Sequence, residues 1–369
     1  MIYHTFFISI LLFTITKSQS NDYDYEQHLF IEYLTKYKIV YDTHEDYENN
    51  FKLFLQQYDK SGFDIEDFLG IKAKKKINLF ASYKKKDSRR LATDDSEILP
   101  DYFSWNDSLA LNDIQNQGKC GACSVFSVMS IMETYYYNKF KEKKKFSKQG
   151  VIDCFIVNGD ICEKGGNVFY VYDFIKNYHP MLEEDYPYIS EDKTSITQFC
   201  KYNISKTVNI TKPILYYIQQ NPQTGYADAY TIATYIYNYG PVVVEVNGEC
   251  KNFAYHFTNP KYVISEDDYC DSTDLNHGVV IVGWGFSTTG KLYWIVRNSW
   301  GETWGDKGYA YIRGGTNSFG IETIPFFVAD EIKNEEGIEN GQETECTCKE
   351  LYLFQNYLSY IFILFILLN

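Results

Sequence analysis

The chain is organised around Asn116-Gln117-Gly118-Lys119-Cys120-Gly121-Ala122-Cys123-Ser124-Val125-Phe126-Ser127. A glycine-rich turn runs straight into an apolar segment. Val125, Phe126, Met129 and Met132 recur at near-helical spacing, which predicts a helix beginning close to Cys123. A helix N-terminus presents unpaired backbone N–H groups and the positive end of the macrodipole. A cysteine there is expected to have a lowered thiol pKa and to supply thiolate near neutral pH. The same Cys-x-x-Cys spacing also suits a structural disulfide pair or half of a metal site.

The chain has 369 residues, room for two domains or one large domain with an extension. Aromatic residues are abundant and charge is moderate, as in a packed globular body. The net charge of −14 argues against a nucleic-acid partner. The basic runs Lys72–Lys76 and Lys84–Arg90 read as solvated loops. Met1 to Ser20 carries a short apolar core, Phe6 to Ile15, and reads as a secretory signal peptide. It implies an oxidising compartment. Asn106, Asn203 and Asn209 each open an Asn-x-Ser/Thr glycosylation acceptor, in keeping with that route. Of nine cysteines, Cys346 and Cys348 lie near the tail. The other seven suggest three bridges and one free thiol.

Residues 21–96 are polar, rich in tyrosine and charge, and free of cysteine. Phe30, Tyr33, Leu34 and Tyr37 form one helical stripe, and Tyr47, Phe51, Phe54 and Tyr58 another. Asp87-Ser88-Arg89-Arg90 reads as an exposed, cleavable linker. A small helical domain of unrelated role is the plain alternative for this region. From Leu99 the texture is that of a globular domain, spanning 97–330. Asn167 to Tyr178 is a short helical candidate, and the chain reads as mainly helical to about Tyr202. Beyond Lys206 strands are predicted at Val242–Val246, Gly278–Gly283, Lys291–Val296 and Gly308–Ile312. Helices first and strands later imply an α+β fold of two packed halves. Residues 331–350 form an acidic linker, and 351–369 a strongly apolar tail. No internal repeat is visible.

An activated thiol needs a base. Three of the six histidines, His179, His256 and His277, fall in the main body. His179 precedes Pro180 in a turn, and His256 reads as a packed aromatic-core residue. His277 opens a strand, where its ring can point away from the strand end. Asn298 can accept a hydrogen bond from one imidazole nitrogen and leave the other facing the thiol. Trp300 beside it can screen that bond from water. Gln117 can offer its side-chain amide next to the Cys123 backbone N–H, the two together making an oxyanion hole.

These segments resemble the papain-like cysteine proteases, the cathepsin L group in particular, over about Leu99 to Val328. Asn116-Gln117-Gly118-x-Cys120-Gly121-x-Cys123, Asn276-His277-Gly278-Val279 and Asn298-Ser299-Trp300-Gly301 with Trp304-Gly305-x-x-Gly308-Tyr309 carry the likeness. It implies a papain-like two-lobed α+β fold, with a helical left lobe, a β-barrel-like right lobe and a cleft between them. It implies a cysteine endopeptidase with Cys123 as nucleophile, His277 as base, Asn298 as orienting residue and Gln117 as oxyanion donor. Protein or peptide substrates, a monomer, and no metal or organic cofactor are expected. The amino-terminal helices resemble the family's inhibitory propeptide, with Asp46, Asn50, Phe54 and Gln57 where glutamate, arginine, phenylalanine and asparagine are usual.

By the same likeness Gly165, Gly166, Asn167, Val168, Leu275, Gly278, Trp300 and Ile324 line the substrate cleft. A largely apolar pocket is expected for the second residue before the scissile bond. Glu245 borders that pocket and either reaches in or points to solvent. The resemblance implies bridges Cys120–Cys162 and Cys154–Cys200. Phe319 stands where the family has a late cysteine, so Cys250–Cys270 is expected as the replacement. Ser124 follows the nucleophile where tryptophan is usual, which is expected to loosen the nearby wall. A catalytically weak or inactive binding protein on the same scaffold is the competing reading. Leu351 to Leu368 with nothing basic after it resembles a glycolipid-anchor signal, with Asn340 or Gly341 as attachment point, or else a transmembrane helix or a trimmed tail. A lysosome-like vacuole, the cell surface or the extracellular space are the compartments implied.

Overall fold

The computed structural model describes residues 25–58, 99–154, 160–193, 199–256, 261–266 and 270–332. The expected signal peptide, the cleavable linker, most of the acidic segment and the apolar tail lie outside these residues. Among the described residues no helix is long and apolar enough to cross a membrane.

Two helices open the described chain, α1 over residues 25–36 and α2 at His44–Tyr58. The predicted stripes close on each other: Phe30, Tyr33 and Leu34 pack with Tyr47, Phe51 and Phe54 in a small aromatic core. Tyr37 falls just past α1 and is exposed, so the first stripe is one residue shorter than expected. The connector between the helices is bound to the sheet half rather than free. Tyr41 N donates to Lys261 O at 2.7 Å, and Val263 N donates back to Tyr41 O at 2.8 Å. The Asp42 carboxylate accepts from Ser287 Oγ, Thr289 Oγ1 and Arg313 Nη2.

Helix α3, Cys123–Phe140, is the central element, and every residue from Ser124 to Tyr136 is buried. A helix apolar all round belongs inside a protein, and this one is wrapped by α4 (Lys148–Cys154), α5 (Ile161–Lys164), α6 (Val168–Tyr178) and one face of the sheet. The one carboxylate near its middle is neutralised internally. Glu133 receives Lys148 Nζ at 2.5 Å, Phe146 N at 2.8 Å and Asn112 Nδ2 at 2.8 Å. Asn167 caps α6 by accepting from Phe169 N at 2.9 Å, which sets the predicted helix start one residue later.

The second half is one eight-stranded sheet built from β1 (Phe103–Ser104), β2 (Ile214–Tyr217), β3 (Val242–Val246), β4 (Val263–Ile264), β5 (His277–Phe286), β6 (Leu292–Arg297), β7 (Tyr309–Arg313) and β8 (Phe326–Ala329). The order is β2-β8-β3-β5-β6-β7-β4, with β1 paired to β5 off that path. Only β4 and β7 run parallel. Val243, Val280, Val282 and Ile295 face the core shared with α3. Val242, Val244, Ile281 and Trp294 face the opposite core, closed by α7 (Ala229–Asn238) and α8 (Lys251–Ala254). The α+β reading holds, with a helical half and a sheet half. Two features depart from it: β1 crosses from the helical half into the sheet, and α7 and α8 lie in the stretch read as strands.

Three disulfides join Cys120 to Cys162, Cys154 to Cys200 and Cys250 to Cys270, leaving Cys123 free. Chain-entropy arguments assign bridges over such spans about 3–4 kcal/mol each. Phe319 is fully buried, with its ring 5.7 Å from that of Phe253. An apolar contact therefore occupies the position where the resemblance places a further cysteine, and Cys250–Cys270 is formed as expected.

Candidate active site

Cys123 opens α3 and is half-buried. The turn before it is fixed at both ends. Cys120 is bonded to Cys162 at the start of α5, and Gly121 N donates to Cys162 O at 2.9 Å. Gln117 is buried and its amide is clamped: Nε2 donates to Cys120 O at 3.0 Å, and Oε1 accepts from Ser299 Oγ at 2.6 Å. The main chain repeats the tie, with Gln117 N donating to Ser299 O at 2.7 Å. One Nε2 proton of Gln117 bonds Cys120; the second is directed by a side chain that can no longer rotate.

His277 is the first residue of β5, and Asn298 follows the end of β6, so sheet pairing sets their separation. His277 Nε2 lies 2.8 Å from Asn298 Oδ1. With a proton on Nε2 the imidazole donates to the amide, and its other nitrogen is the basic one. Ser299 N also donates to Asn298 Oδ1, at 2.8 Å, which holds the amide in that orientation. The Trp300 ring stacks on His277 at 4.5 Å, and Phe253 meets it edge-on at 5.9 Å. Both rings keep water from the His277–Asn298 bond. The next residue, Gly278, presents its backbone N–H to the Cys123 thiol. Strand β5 thus brings the imidazole and the start of α3 together.

The electrostatics differ from the helix-terminus expectation. Burial pushes the Cys123 thiol up from its ordinary value, outweighing the backbone N–H groups of Gly278 and Ser124, which pull it down; the negative Glu245 adds to the rise. The macrodipole alone therefore does not make this a thiolate. Burial also lowers His277 to about 4, against the opposing effect of the Asn298 bond. Each charge is disfavoured alone.

The sequence profile of papain family cysteine proteases matches residues 99–329. The chain belongs to that family. It is 29% identical over 259 residues to a cathepsin L-like protein of Caenorhabditis elegans, covering 66% of this chain and 72% of that one. It is 32% identical over 227 residues to a cathepsin L-like peptidase of Aedes aegypti, covering 61% and 62%. The structure is similar to bromelain of Ananas comosus solved with the E64 inhibitor, at a TM-score of 0.52 and 28% identity, covering 63% of this chain and all of that one. The protease has a papain-like α+β fold.

Around the thiol the protease places the other expected cleft residues unevenly. Gly165 and Gly166 follow α5 beside the turn that leads to Cys123, and Asn167 is exposed. Ile324, Leu275 and Trp300 are half-buried. Val168 is 1% exposed and belongs to the core beneath α6, not to an open wall. Ser124, directly after Cys123, is buried. It is 2% exposed and sits under Gly166, where an added Cβ would come 2.6 Å from its Oγ. His256 is buried against Tyr262 and Trp304, as read from the sequence, and His179 ends α6 with a positive φ. Among the described residues no group of acidic, histidine or cysteine side chains is placed to hold a metal ion.

Ser299 and Tyr188 escaped the sequence reading. Tyr188 OH donates to Gln117 O at 2.6 Å, steadying the same turn from the helical half. Removing the amide with Gln117→Ala is expected to lower kcat by about 10²–10³-fold. Ser299→Ala, which frees the amide to rotate, is expected to lower kcat by a smaller factor with KM little changed. Steady-state kinetics on one peptide substrate check both; a Ser299→Ala effect confined to KM would mean the hydroxyl does not position Gln117.

Proposed function

We propose that this papain-family protease cleaves peptide bonds within polypeptides through Cys123, with His277 as general base and acid, Asn298 as its orienting partner and Gln117 as oxyanion donor. The observation that carries the reading is a free thiol at the start of α3, packed against the Gly278 that follows a histidine clamped by Asn298, and preceded by a turn whose glutamine amide is clamped by Ser299. The proton passes from Sγ to the imidazole, and both charges form together, so that their mutual attraction offsets the desolvation each would suffer alone. Sulfur attacks the peptide carbonyl carbon. Gln117 Nε2–H and the Cys123 N–H receive the developing oxyanion. Imidazolium protonates the leaving amine, and water, deprotonated by the same imidazole, hydrolyses the thioester. A peptidyl epoxide should label Cys123 stoichiometrically and abolish turnover. A protein that hydrolyses no peptide and takes no label would instead be a binding protein on this scaffold.

Residues 21–96 act in this proposal as an inhibitory propeptide, and 1–20 as the signal that sends a glycosylated zymogen into the secretory pathway. The acceptors Asn106, Asn203 and Asn209 are all exposed, which supports modification there. The apolar tail would attach the protease to a membrane at the cell surface or in a lysosome-like vacuole; phospholipase release of activity from cells tests a glycolipid anchor.

The docked connector supports the propeptide role and carries a pH dependence. Burial acts to raise Asp42, but hydrogen bonds from Thr289, Ser287 and Arg313 outweigh it and hold the carboxyl below its ordinary value. Lys291 Nζ, 4.0 Å away, also faces it. A lowered docked pKa means the contribution is complete above the free carboxyl's pKa and is lost as pH falls through the docked value. Asp42→Asn is therefore expected to speed zymogen processing at neutral pH and to flatten its acceleration in acid. Identical processing rates of the two zymogens across that range would exclude Asp42 as the acid-sensitive contact.

A further inference from the structure

Two departures from the family pattern meet on one ring. Cys250 is the added cysteine, and Phe319 stands in place of a lost one. Cys250 immediately precedes α8, and its carbonyl accepts from Phe253 N at 2.9 Å and from Ala254 N at 2.8 Å. Phe253, within that helix, is fully buried, and the Phe319 ring lies 5.7 Å from its own. Trp304 and Trp300 meet the same ring at 5.2 and 5.6 Å, and His277 meets it at 5.9 Å. A helix of four residues does not hold its own shape in water. Whatever fixes its start therefore decides where Phe253 stands.

The chain leaving β3 is tied to the chain entering β5. Asn276 N donates to Val246 O at 3.1 Å, Gly248 N to Asn276 Oδ1 at 2.9 Å, and Asn247 Nδ2 to Asp271 O at 2.9 Å. Asn247 N also donates to Phe319 O at 2.9 Å. Cys250–Cys270 is the last of these ties, and it is covalent. The tied segment bears directly on the imidazole. A Cβ on Gly248 would stand 2.7 Å from His277 Cβ and 3.1 Å from its Cγ. Gly248 thus lies at the root of the ring, Phe253 meets it edge-on and Trp300 stacks on it.

We infer that the Cys250–Cys270 bridge is a positioning element for His277: it anchors residues 247–253 so that Gly248 and Phe253 hold the imidazole in its orientation and keep water from its bond to Asn298. The inference rests on the protease reading above, in which His277 is the base. Exposed Glu249 and Lys251 flank Cys250, so water reaches the segment and competes for its hydrogen bonds. A covalent tie is not open to that competition. Around the catalytic pair, Glu245 acts on the thiol, while burial and the Asn298 bond act on the imidazole. Opening the bridge admits water beside the ring and screens the attraction between imidazolium and thiolate. The imidazolium then gives up its proton at a lower pH, and the thiolate takes one up at a higher pH.

The test is the pH profile of kcat/KM for the processed protease on one peptide substrate. Cys250→Ser with Cys270→Ser should lower kcat by up to about 100-fold with KM little changed. It should also narrow the bell from both sides. Cys154→Ser with Cys200→Ser opens a bridge of the helical half and should leave both limbs where the wild type has them. Phe253→Leu, with the bridge intact, should narrow the bell by a smaller amount, and decides the matter where the first serine pair does not fold. Wild-type limbs in the Cys250 and Cys270 variant, or in Phe253→Leu where that variant does not fold, would overturn the inference. Equal movement of the limbs in both serine pairs would overturn it as well. A wild type that neither turns over the peptide nor takes the epoxide label would overturn the protease reading, and this inference with it.

Discussion

Cys123→Ala should lower peptide hydrolysis by on the order of 10⁶-fold, the cost of losing one member of a catalytic unit that works as a whole. The fold should survive, because the change removes one sulfur from a half-buried position at the start of α3 and touches none of the three bridges. The residual rate should be indifferent to the peptidyl epoxide. The checks are kcat/KM of the purified variant, its circular dichroism and its unreduced peptide map. Turnover near the wild-type level would remove Cys123 from the chemistry, whatever the family resemblance.

Glu133→Ala should have the largest effect on stability. Glu133 and Lys148 are 4% and 1% exposed and bonded to each other, and Glu133 also accepts hydrogen bonds from Phe146 N and Asn112 Nδ2, while the Glu183 carboxylate acts on Lys148 from further off. Removing the carboxylate strands a buried ammonium whose pKa burial already pulls down, and leaves the Phe146 N–H without an acceptor. Breaking such a pair typically costs about 3–5 kcal/mol, a large share of the roughly 5–15 kcal/mol by which a domain is stable. Replacing both partners by apolar residues, Glu133→Leu with Lys148→Met, should cost less than Glu133→Ala alone. Urea unfolding followed by fluorescence measures the order; a single variant as stable as the wild type would show that solvent reaches the pair.

Much of this architecture is legible in the chain itself, for identifiable reasons. The strands β3, β5, β6 and β7 are β-branched or aromatic runs bounded by glycine, and each lies within a residue or a few of its expected limits. The start of α3 is legible because the Gly-rich turn meets an apolar period at Cys123. By contrast β2 and β8, Ile214–Tyr217 and Phe326–Ala329, are four-residue runs that become strands by pairing with each other across the fold. Helix α7 is rich in tyrosine, threonine and isoleucine, which favour strands locally; its Asp228 cap and its packing on the sheet decide otherwise. Gln117, Cys123, His277 and Asn298 can be picked out from sequence as chemistry-bearing types in motif context. The clamp on Gln117 cannot, since Ser299 reaches it across 182 residues of chain. Nor can the direction of the thiol pKa, which depends on how deeply the finished fold buries the helix terminus.

The placement of the bridges has a mechanical consequence. Cys120–Cys162 and Cys154–Cys200 stay within the helical half, and Cys250–Cys270 stays within the sheet half. No disulfide among the described residues spans the seam, yet Cys123 sits on one side of it and His277 on the other. The distance between sulfur and ring is therefore held by side-chain packing and by the Gln117–Ser299 clamp, not by covalent ties. Under rising denaturant the two sides can slip while each keeps its internal staples. Enzymatic activity should then vanish at a lower denaturant concentration than helix or sheet signal, and should return on dilution without any thiol exchange.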